Sequence, residues 1–578
     1  MRTCKLLILV AVMARSGQLL SAQELPAVSG QWKIRKGDDP SWSDVHLNDS
    51  VWETIPVGKP WETAFGNYDG YGWYRKHITI PQEIAKSPAF TKYRALQLAL
   101  GAIDDVDSTW FNGQKIGSTG SFPDDYRTAW DKPRTYTVPS SAIRWGADNV
   151  IAVRVYDRNG AGGMVSGPYK LQFATSNIPS RFLEPDNNGI IRDDKLNFGA
   201  TLMNEFDTNV TNKVRWTVTT DQRQQLARES VEAVIPANDK LTLPCPFAPL
   251  QPGFYHFKCE LFDEGRAAGA KTQCLGLNPE LVTSKLTREA DFDEFWARTK
   301  KDLANVKPEF RLTRAPKFDS NAHEVYEVEM RSLGNIRVRG WYQKPKAAGK
   351  HPALLRVPGY TQAMYPMEEV TENVAILSFN VRAHGNSQQD VSGKPADYWV
   401  RGLDDKDDYF YRGCYADCIR AVDFLESREE VDASRIGITG ASQGGGLSLA
   451  TAALDSRITA CAPDIPFLCD WIRYFKVTES PEIHEWIAEQ PERSWESTLK
   501  TMSYFDALNL ADKITCPVFL GLGLQDEVCP PATVFSVYNR LNVPKEFRVY
   551  PDAGHWVGPP HHQLKRDWLW KQLKCGSS

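Results

Sequence analysis

The sequence predicts three folded domains: two all-β domains, followed by a larger domain with a parallel sheet covered by helices. With 578 residues, the chain is too long for a single hydrophobic core. Short alternating apolar runs separated by turn residues recur before about residue 280, which is typical of β-sandwiches. Beyond that point, continuous apolar runs alternate with helix-forming stretches, as they do in parallel sheets. We therefore expect domains at residues 23–178, 179–280 and 281–578.

The first 22 residues have the features of a secretory signal peptide. Arg2 and Lys5 precede an apolar run at residues 6–14, and small residues end at Ala22. We therefore expect a secreted or periplasmic protein. No apolar run reaches the roughly 18 residues that cross a bilayer. The net charge of −4, with both signs mixed along the chain, gives no sign of a nucleic-acid partner.

The first domain is predicted to be all-β. Alternating runs at residues 73–80, 95–100 and 149–155 predict strands that are buried on one face. Asn112 and Gly113 lie between two further runs and predict a tight hairpin, because both residue types accept positive φ. Eight of the eighteen tryptophans fall between residues 32 and 145, and we expect most of them to fill the core.

Two motifs in this region resemble the jelly-roll, galactose-binding-like domain at the front of many glycoside hydrolases. They are the segments Asp-Gly-Tyr-Gly-Trp-Tyr-Arg at 69–75 and Trp-Phe-Asn-Gly-Gln-Lys-Ile-Gly at 110–117. The resemblance implies either a glycan-binding domain or a rigid wall beside a catalytic pocket. The sequence leaves these two alternatives open.

The second domain, at residues 179–280, again shows short alternating runs. Residues 196–202, 213–218 and 253–261 predict strands, and their spacing suits a seven-strand immunoglobulin-like β-sandwich. No cluster of chemically active residues appears there. We therefore expect this domain to be a spacer.

A nucleophile turn is predicted at Ser442. The chain there reads Arg-Ile-Gly-Ile-Thr-Gly-Ala-Ser-Gln-Gly-Gly-Gly, a short apolar strand followed by G-x-S-x-G. Residues 447–454 then suit a helix. The flanking Gly440 and Gly444 allow a sharp strand-to-helix turn that presents the serine hydroxyl. The hydroxyl would lie at a helix N-terminus, where backbone N–H groups stabilise developing negative charge.

An acid and a histidine follow the serine in the order that such serine hydrolases use. Residues 516–524 predict a buried strand, and Asp526 comes just after it. Residues 546–550 predict the next strand, and His555 lies in the following loop. Loops at the carboxyl ends of parallel strands are where such sheets carry catalysis. We therefore expect His555 to accept the serine proton and Asp526 to orient the imidazole.

The oxyanion donors can be predicted as well. One should be the N–H of Gln443, the residue after the nucleophile, and the other should come from the loop after an earlier core strand. Residues 352–357 predict that strand, and Tyr360 lies in its loop. The Tyr360 ring is also suited to the rim of the pocket.

Several other polar residues have ordinary structural interpretations. Asp552 is a rival acid, but it lies too close to His555 along the chain and suits a turn. His561 and His562 form an isolated pair that suits a surface turn. Two cysteines four residues apart, at 414 and 418, are better explained as small buried apolar groups than as metal ligands.

Residues 288 to 575 resemble the acetylxylan esterase / cephalosporin-C deacetylase family of α/β-hydrolases. Five motifs in the family's order carry the resemblance: 291–296, 358–360, 411–417, 440–444 and 523–531. The resemblance implies an α/β-hydrolase domain with a triad of Ser442, Asp526 and His555 and with oxyanion donors at Tyr360 and Gln443. The whole chain would then be an all-β jelly roll plus an immunoglobulin-like β-sandwich, followed by an α/β-hydrolase domain.

Two departures from that family's pattern concern the pocket. The family has Arg-Gly-Gln after its fourth core strand, whereas here Arg382 is followed by Ala383, His384 and Gly385. The family's histidine is followed by glutamate, whereas here Trp556 follows. The triad survives both changes, but the acetyl preference and the oligomeric state stay open. His384 is either a second polar group of the pocket or a structural residue of its loop.

Together these features predict a secreted serine esterase that removes acetyl groups from a polysaccharide or oligosaccharide through an acyl-enzyme. The partner would be an acetylated carbohydrate, and the chemistry requires neither a metal nor a cofactor. One alternative keeps the triad but changes the bond, giving a uronic-acid methyl esterase or a peptidase. Another is a carbohydrate-binding protein with a catalytically weak hydrolase domain, against which the intact triad argues.

Overall fold

The computed structural model describes residues 24–575, apart from 67, 159, 175–178, 184–188, 193–197, 205, 207, 248–250, 369 and 392–397. The predicted signal peptide at residues 1–22 lies outside the described residues. No helix in the described part of the chain is both long and apolar enough to cross a membrane.

The front region consists of two antiparallel sheets that share one hydrophobic core. Its strands are β1 (Gln31–Lys36), β2 (Glu53–Pro56), β3 (Gly70–Thr79), β4 (Ala95–Asp104), β5 (Val106–Phe111), β6 (Gln114–Thr119), β7 (Pro133–Pro139), β8 (Asp148–Asp157) and β9 (Gly163–Phe173), with short helices α1 (Glu62–Phe65) and α2 (Pro88–Thr91). The sheet orders are β2-β1-β3-β8-β5-β6 and β7-β4-β9. Side chains from both sheets meet in one core, for example Ile34 and Leu98.

Two predictions for this region are confirmed. The hairpin between β5 and β6 turns at Asn112 and Gly113, whose φ values are 50° and 80°. Five of the eight tryptophans are buried, so most of them do serve the core. The jelly-roll topology itself stays a prediction.

The middle region is a second pair of sheets. Its strands are β10 (Pro179–Leu183), β11 (Ile190–Ile191), β12 (Gly199–Met203), β13 (Val210–Thr220), β14 (Gln225–Ile235), β15 (Lys240–Pro244), β16 (Gly253–Asp263) and β17 (Arg266–Leu277). The sheet orders are β10-β12-β15 and β11-β17-β16-β13-β14. The eight strands include the three that the alternation predicts, and the immunoglobulin-like topology also stays a prediction.

The C-terminal region is a nine-stranded mixed sheet of α/β-hydrolase type. Its strands are β18 (Arg311–Arg314), β19 (His323–Arg331), β20 (Arg337–Pro345), β21 (His351–Val357), β22 (Ala375–Asn380), β23 (Val431–Ala441), β24 (Ile458–Asp464), β25 (Val518–Gly523) and β26 (Lys545–Tyr550). Its helices are α3 (Phe292–Ala304), α4 (Phe410–Glu426), α5 (Gln443–Leu454), α6 (Trp471–Val477), α7 (Pro481–Ala488), α8 (Trp495–Ser503), α9 (Ala507–Leu510), α10 (Pro531–Arg540) and α11 (Gly558–Gln572). The order is β18-β19-β20-β22-β21-β23-β24-β25-β26, and every pair from β22 to β26 is parallel. The carboxyl ends of these parallel strands therefore lie along one edge of the sheet.

The middle region packs directly into the core of the C-terminal region. Ile190, Phe254 and Cys274 are buried and belong to the same hydrophobic cluster as the sheet and helices of that region. The rings of Phe254 and Phe535 lie 5.5 Å apart. The expectation that the middle region is only a spacer is therefore wrong, because it supplies part of the catalytic region's core.

Candidate active site

Ser442 occupies a strained turn between β23 and α5. Its φ of 58° and ψ of −120° lie in a region that residues with a side chain rarely adopt. The flanking glycines make the turn sterically possible. A Cβ on Gly440 would lie 2.5 Å from the Gly444 carbonyl oxygen, and one on Gly444 would lie 2.5 Å from the Val357 oxygen. The G-x-S-x-G spacing thus follows from close backbone approach on both sides of the serine.

Three side chains that are far apart in sequence form one hydrogen-bonded chain. The Ser442 hydroxyl lies 3.0 Å from His555 Nε2. His555 Nδ1 lies 2.9 Å from Asp526 Oδ2 and 3.1 Å from Oδ1. If Nδ1 carries the proton, Nε2 is an acceptor for the serine hydroxyl, and the serine can become a nucleophile as its proton passes to the imidazole.

The carboxylate of Asp526 is held on both of its oxygens. The N–H groups of Val528 and Cys529 donate to Oδ1 at 2.9 and 2.8 Å, and Oδ2 faces His555. The side chain is buried, which strengthens its interaction with the imidazole. The rival acid Asp552 lies exposed on the surface. Of the two candidate acids, Asp526 is thus the one that the structure brings to the imidazole.

Gln443 is the first residue of α5, where a backbone N–H has no acceptor within the helix. Its side chain is buried and held from two sides. The Tyr411 hydroxyl donates to Gln443 Oε1 at 2.8 Å, and Gln443 Nε2 donates to His384 Nε2 at 3.1 Å. Tyr360, the other predicted oxyanion donor, lies half-buried in the loop that follows β21.

His384 is fully buried and serves as a structural support for Gln443. Because its Nε2 accepts from Gln443, its proton is on Nδ1, which donates to the Arg382 carbonyl oxygen at 3.0 Å. Burial lowers the pKa of His384, in keeping with a neutral ring. Of the two interpretations of this histidine, the structural one agrees with its surroundings.

A second histidine–carboxylate pair lies behind the nucleophile turn, and sequence reasoning missed it. His561 is fully buried, so the prediction of a surface turn is wrong for this residue, although His562 is exposed. His561 Nε2 donates to Asp464 Oδ1 at 2.7 Å, and Lys565 pairs with the other oxygen. Asp464 also accepts the Ser442 N–H at its backbone oxygen, at 3.0 Å. Burial opposes ionisation of Asp464, but the charge of Lys565 and the hydrogen bond from His561 outweigh burial and lower its pKa.

The cysteines support packing. All ten in the described part of the chain are free thiols, and the two in α4, Cys414 and Cys418, are fully buried as predicted. Asp526, Cys529 and His555 each offer a ligand atom within 4.8 Å of the others, so they could hold a soft metal ion. Two of the three are already joined by the hydrogen bonds described above, and the proton transfer that those bonds allow uses only side chains of this chain.

Comparisons with known proteins concern mainly the C-terminal region. The family model for acetyl xylan esterase (AXE1) matches residues 280–572. The curated acetyl esterase Axe7A of Xylanibacter ruminicola is 30% identical over 314 residues, which cover 52% of this chain and 71% of that protein. An acetyl xylan esterase structure from Paenibacillus sp. R4 shows 35% identity and a TM-score of 0.48, covering 51% of this chain and 98% of its own. Another, acetyl xylan esterase 1 from a Thermoanaerobacterium species, shows 31% identity and a TM-score of 0.48, covering 51% and 97%.

Proposed function

The chain belongs to the acetyl xylan esterase family and is a carboxylic ester hydrolase, and on that premise we propose that it removes acetyl groups from polysaccharide or oligosaccharide through a serine triad. The observation that carries the proposal is the continuous hydrogen-bond chain from Ser442 through His555 to Asp526. Nucleophile, base and acid come from three different segments at the same edge of the sheet, and their hydrogen bonds give the arrangement that acyl transfer by a serine uses.

The proposed reaction has two halves. The Ser442 oxygen attacks the acetyl carbonyl carbon while His555 Nε2 takes the hydroxyl proton. The N–H groups of Gln443 and Tyr360 stabilise the oxyanion that forms. The imidazolium then gives its proton to the departing sugar hydroxyl, leaving an acetyl-serine. Water, deprotonated by the same imidazole, attacks this ester and releases acetate and free serine.

Release of acetate and methanol from a panel of plant and algal polysaccharides tests this proposal. We expect acetate from acetylated glycans, no methanol from methyl-esterified uronans, and no cleavage of peptides. Methanol release would favour the uronic-acid methyl esterase instead. Glycan binding without turnover of even a generic acetyl ester would favour a binding protein. The Ser442→Ala protein, assayed in parallel, separates enzymatic release from spontaneous hydrolysis.

We also propose export, so that the enzyme meets its polymer outside the cytoplasm. The support is the basic N-terminus, the apolar run at residues 6–14 and the small residues before Gln23. N-terminal sequencing of protein from periplasm and medium should find chains that begin at Gln23. Chains that retain the first 22 residues and stay in the cytoplasm would contradict export.

A further inference from the structure

One partly buried contact joins the middle region to the loop that carries Asp526. The amide side chain of Gln525, the neighbour of Asp526, pairs with the backbone of Cys274 in β17. Its Oε1 accepts the Cys274 N–H at 2.8 Å, and its Nε2 donates to the Cys274 carbonyl oxygen at 3.1 Å. The amide thus satisfies both backbone groups of a buried residue, as a neighbouring strand would.

The same residue also holds the loop that leads to His555. Gln525 Nε2 donates to the Pro551 carbonyl oxygen at 2.6 Å, and its backbone N–H donates to the Ala553 oxygen at 2.9 Å. Gln525 belongs to the loop that carries Asp526, here called the acid loop. It therefore links this loop to two other segments, β17 and the loop that carries His555, here called the histidine loop.

The backbones around this contact approach each other very closely. A Cβ on Gly523 would lie 2.3 Å from the Ala553 and Gly554 oxygens, so the end of β25 touches the histidine loop directly. On the other side, Phe254 of β16 packs on Phe535 of α10, the helix that follows the acid loop. The middle region thus contacts the acid loop through the hydrogen bonds of Gln525 and contacts the helix that follows this loop through apolar packing.

We propose that Gln525 is a positioning residue: it anchors the acid and histidine loops to the middle region and so sets the Asp526–His555–Ser442 spacing. The proposal rests on the catalytic role proposed above for those three residues. The middle region then acts on the reaction through Gln525. Displacements of about 1 Å at reacting groups can cost roughly 100-fold in rate, so loss of the hydrogen bonds of this one amide is enough to lower kcat.

The test replaces Gln525 by methionine, which keeps the volume and removes the hydrogen bonds. The matched control is Gln343→Met. Gln343 is a buried amide that clamps the backbone of Met367, accepting its N–H at 2.6 Å and donating to its oxygen at 2.9 Å. Gln343 pairs with Ile376 near the start of β22, away from the strand ends that carry the triad. Both variants lose a comparable clamp, but only one clamp touches the triad loops.

We expect Gln525→Met to lower kcat on a small acetyl ester roughly 10- to 100-fold with little change in KM. The fraction of molecules titrated by an active-site phosphonate should stay unchanged. The downfield proton resonance of the His555 Nδ1–H should shift or broaden, and amide exchange at Cys274 should rise. Gln343→Met should change none of these properties. Both methionine variants should unfold at a lower temperature than the parental protein. Gln525→Asn, which keeps the amide but is shorter, provides a milder variant with a smaller loss of the same sign.

The proposal is overturned if folded Gln525→Met and Gln525→Asn keep the parental kcat and the parental resonance. It is equally overturned if the loss in rate only follows the loss of titratable sites, because Gln525 would then support folding alone. If the parental enzyme itself lacks esterase activity, the proposed function fails. The Nδ1–H resonance and the Cys274 exchange still decide the positioning role in that case.

Discussion

Replacing Asp526 by asparagine tests the triad assignment in a way whose size can be worked from the structure. The N–H groups of Val528 and Cys529 both donate to Oδ1, so only an oxygen can occupy that position. The new amide must then point its NH2 group at His555 Nδ1, where Oδ2 now lies at 2.9 Å. His555 can accept this donor only with its own proton on Nε2, which removes the acceptor for the Ser442 hydroxyl. We expect kcat to fall by up to roughly 10⁴-fold, or about 5 kcal/mol.

The measurement is kcat on p-nitrophenyl acetate, with thermal unfolding as the check on folding. Asp552→Asn is the matched control, because the same chemical change is made at an exposed site three residues from His555. We expect that control to stay within about twofold of the parent. The reasoning is refuted if Asp526→Asn keeps more than about a tenth of the parental kcat, or if Asp552→Asn proves the more damaging change.

Three further outcomes are expected. Ser442→Ala should lose roughly 10³-fold or more in kcat while unfolding at the parental temperature, and residual activity above about a tenth would remove Ser442 as nucleophile. Trp556→Ala should raise KM for acetylated oligosaccharide but not for p-nitrophenyl acetate, because an indole that is 59% exposed beside His555 can stack on a sugar ring. The control is Trp130→Ala, since Trp130 is 58% exposed in the front region, and equal effects of the two changes on KM would contradict this role. Lys565→Met should destabilise the fold by roughly 3 kcal/mol in urea unfolding, because it leaves the buried Asp464 without its cation. The folded pKa of Asp464 lies below its ordinary value of 3.8, so the ionised carboxylate should stabilise the fold at neutral pH. This stabilisation should be lost as the pH falls below 3.8 through the folded pKa. An unfolding free energy that does not change in Lys565→Met would contradict the pairing.

Much of the catalytic region could be predicted because its signals are local. At the G-x-S-x-G turn the backbone is so crowded that the flanking positions can only be glycine, and the turn can therefore be predicted from those glycines in the sequence. Asp526 and His555 follow buried strands, and the parallel arrangement brings the ends of those strands to one edge. The order of the motifs was therefore enough to select three residues that the fold brings within hydrogen-bond distance.

Other residues carry no local signal for what they do. His561 is followed by another histidine at the start of a polar helix, a pattern typical of a surface, yet it is buried against Asp464. Nothing around His384 predicts that its ring supports Gln443, because their partnership joins two segments 59 residues apart. Such contacts arise only when separate strands are assembled into one sheet.

The sequence by itself determined the two all-β regions, the nucleophile turn and the identity of the candidate triad. Alternation of apolar residues and glycine at crowded turns each express a constraint that acts within a short stretch, and the order of the motifs can be seen directly along the chain. Only the tertiary structure decided that the middle region shares the catalytic core and that Gln525 joins β17 to both triad loops. The physical reason is that a side-chain amide pairing with a backbone 251 residues away leaves no periodicity in either segment, since it depends on where two separate sheets come into contact.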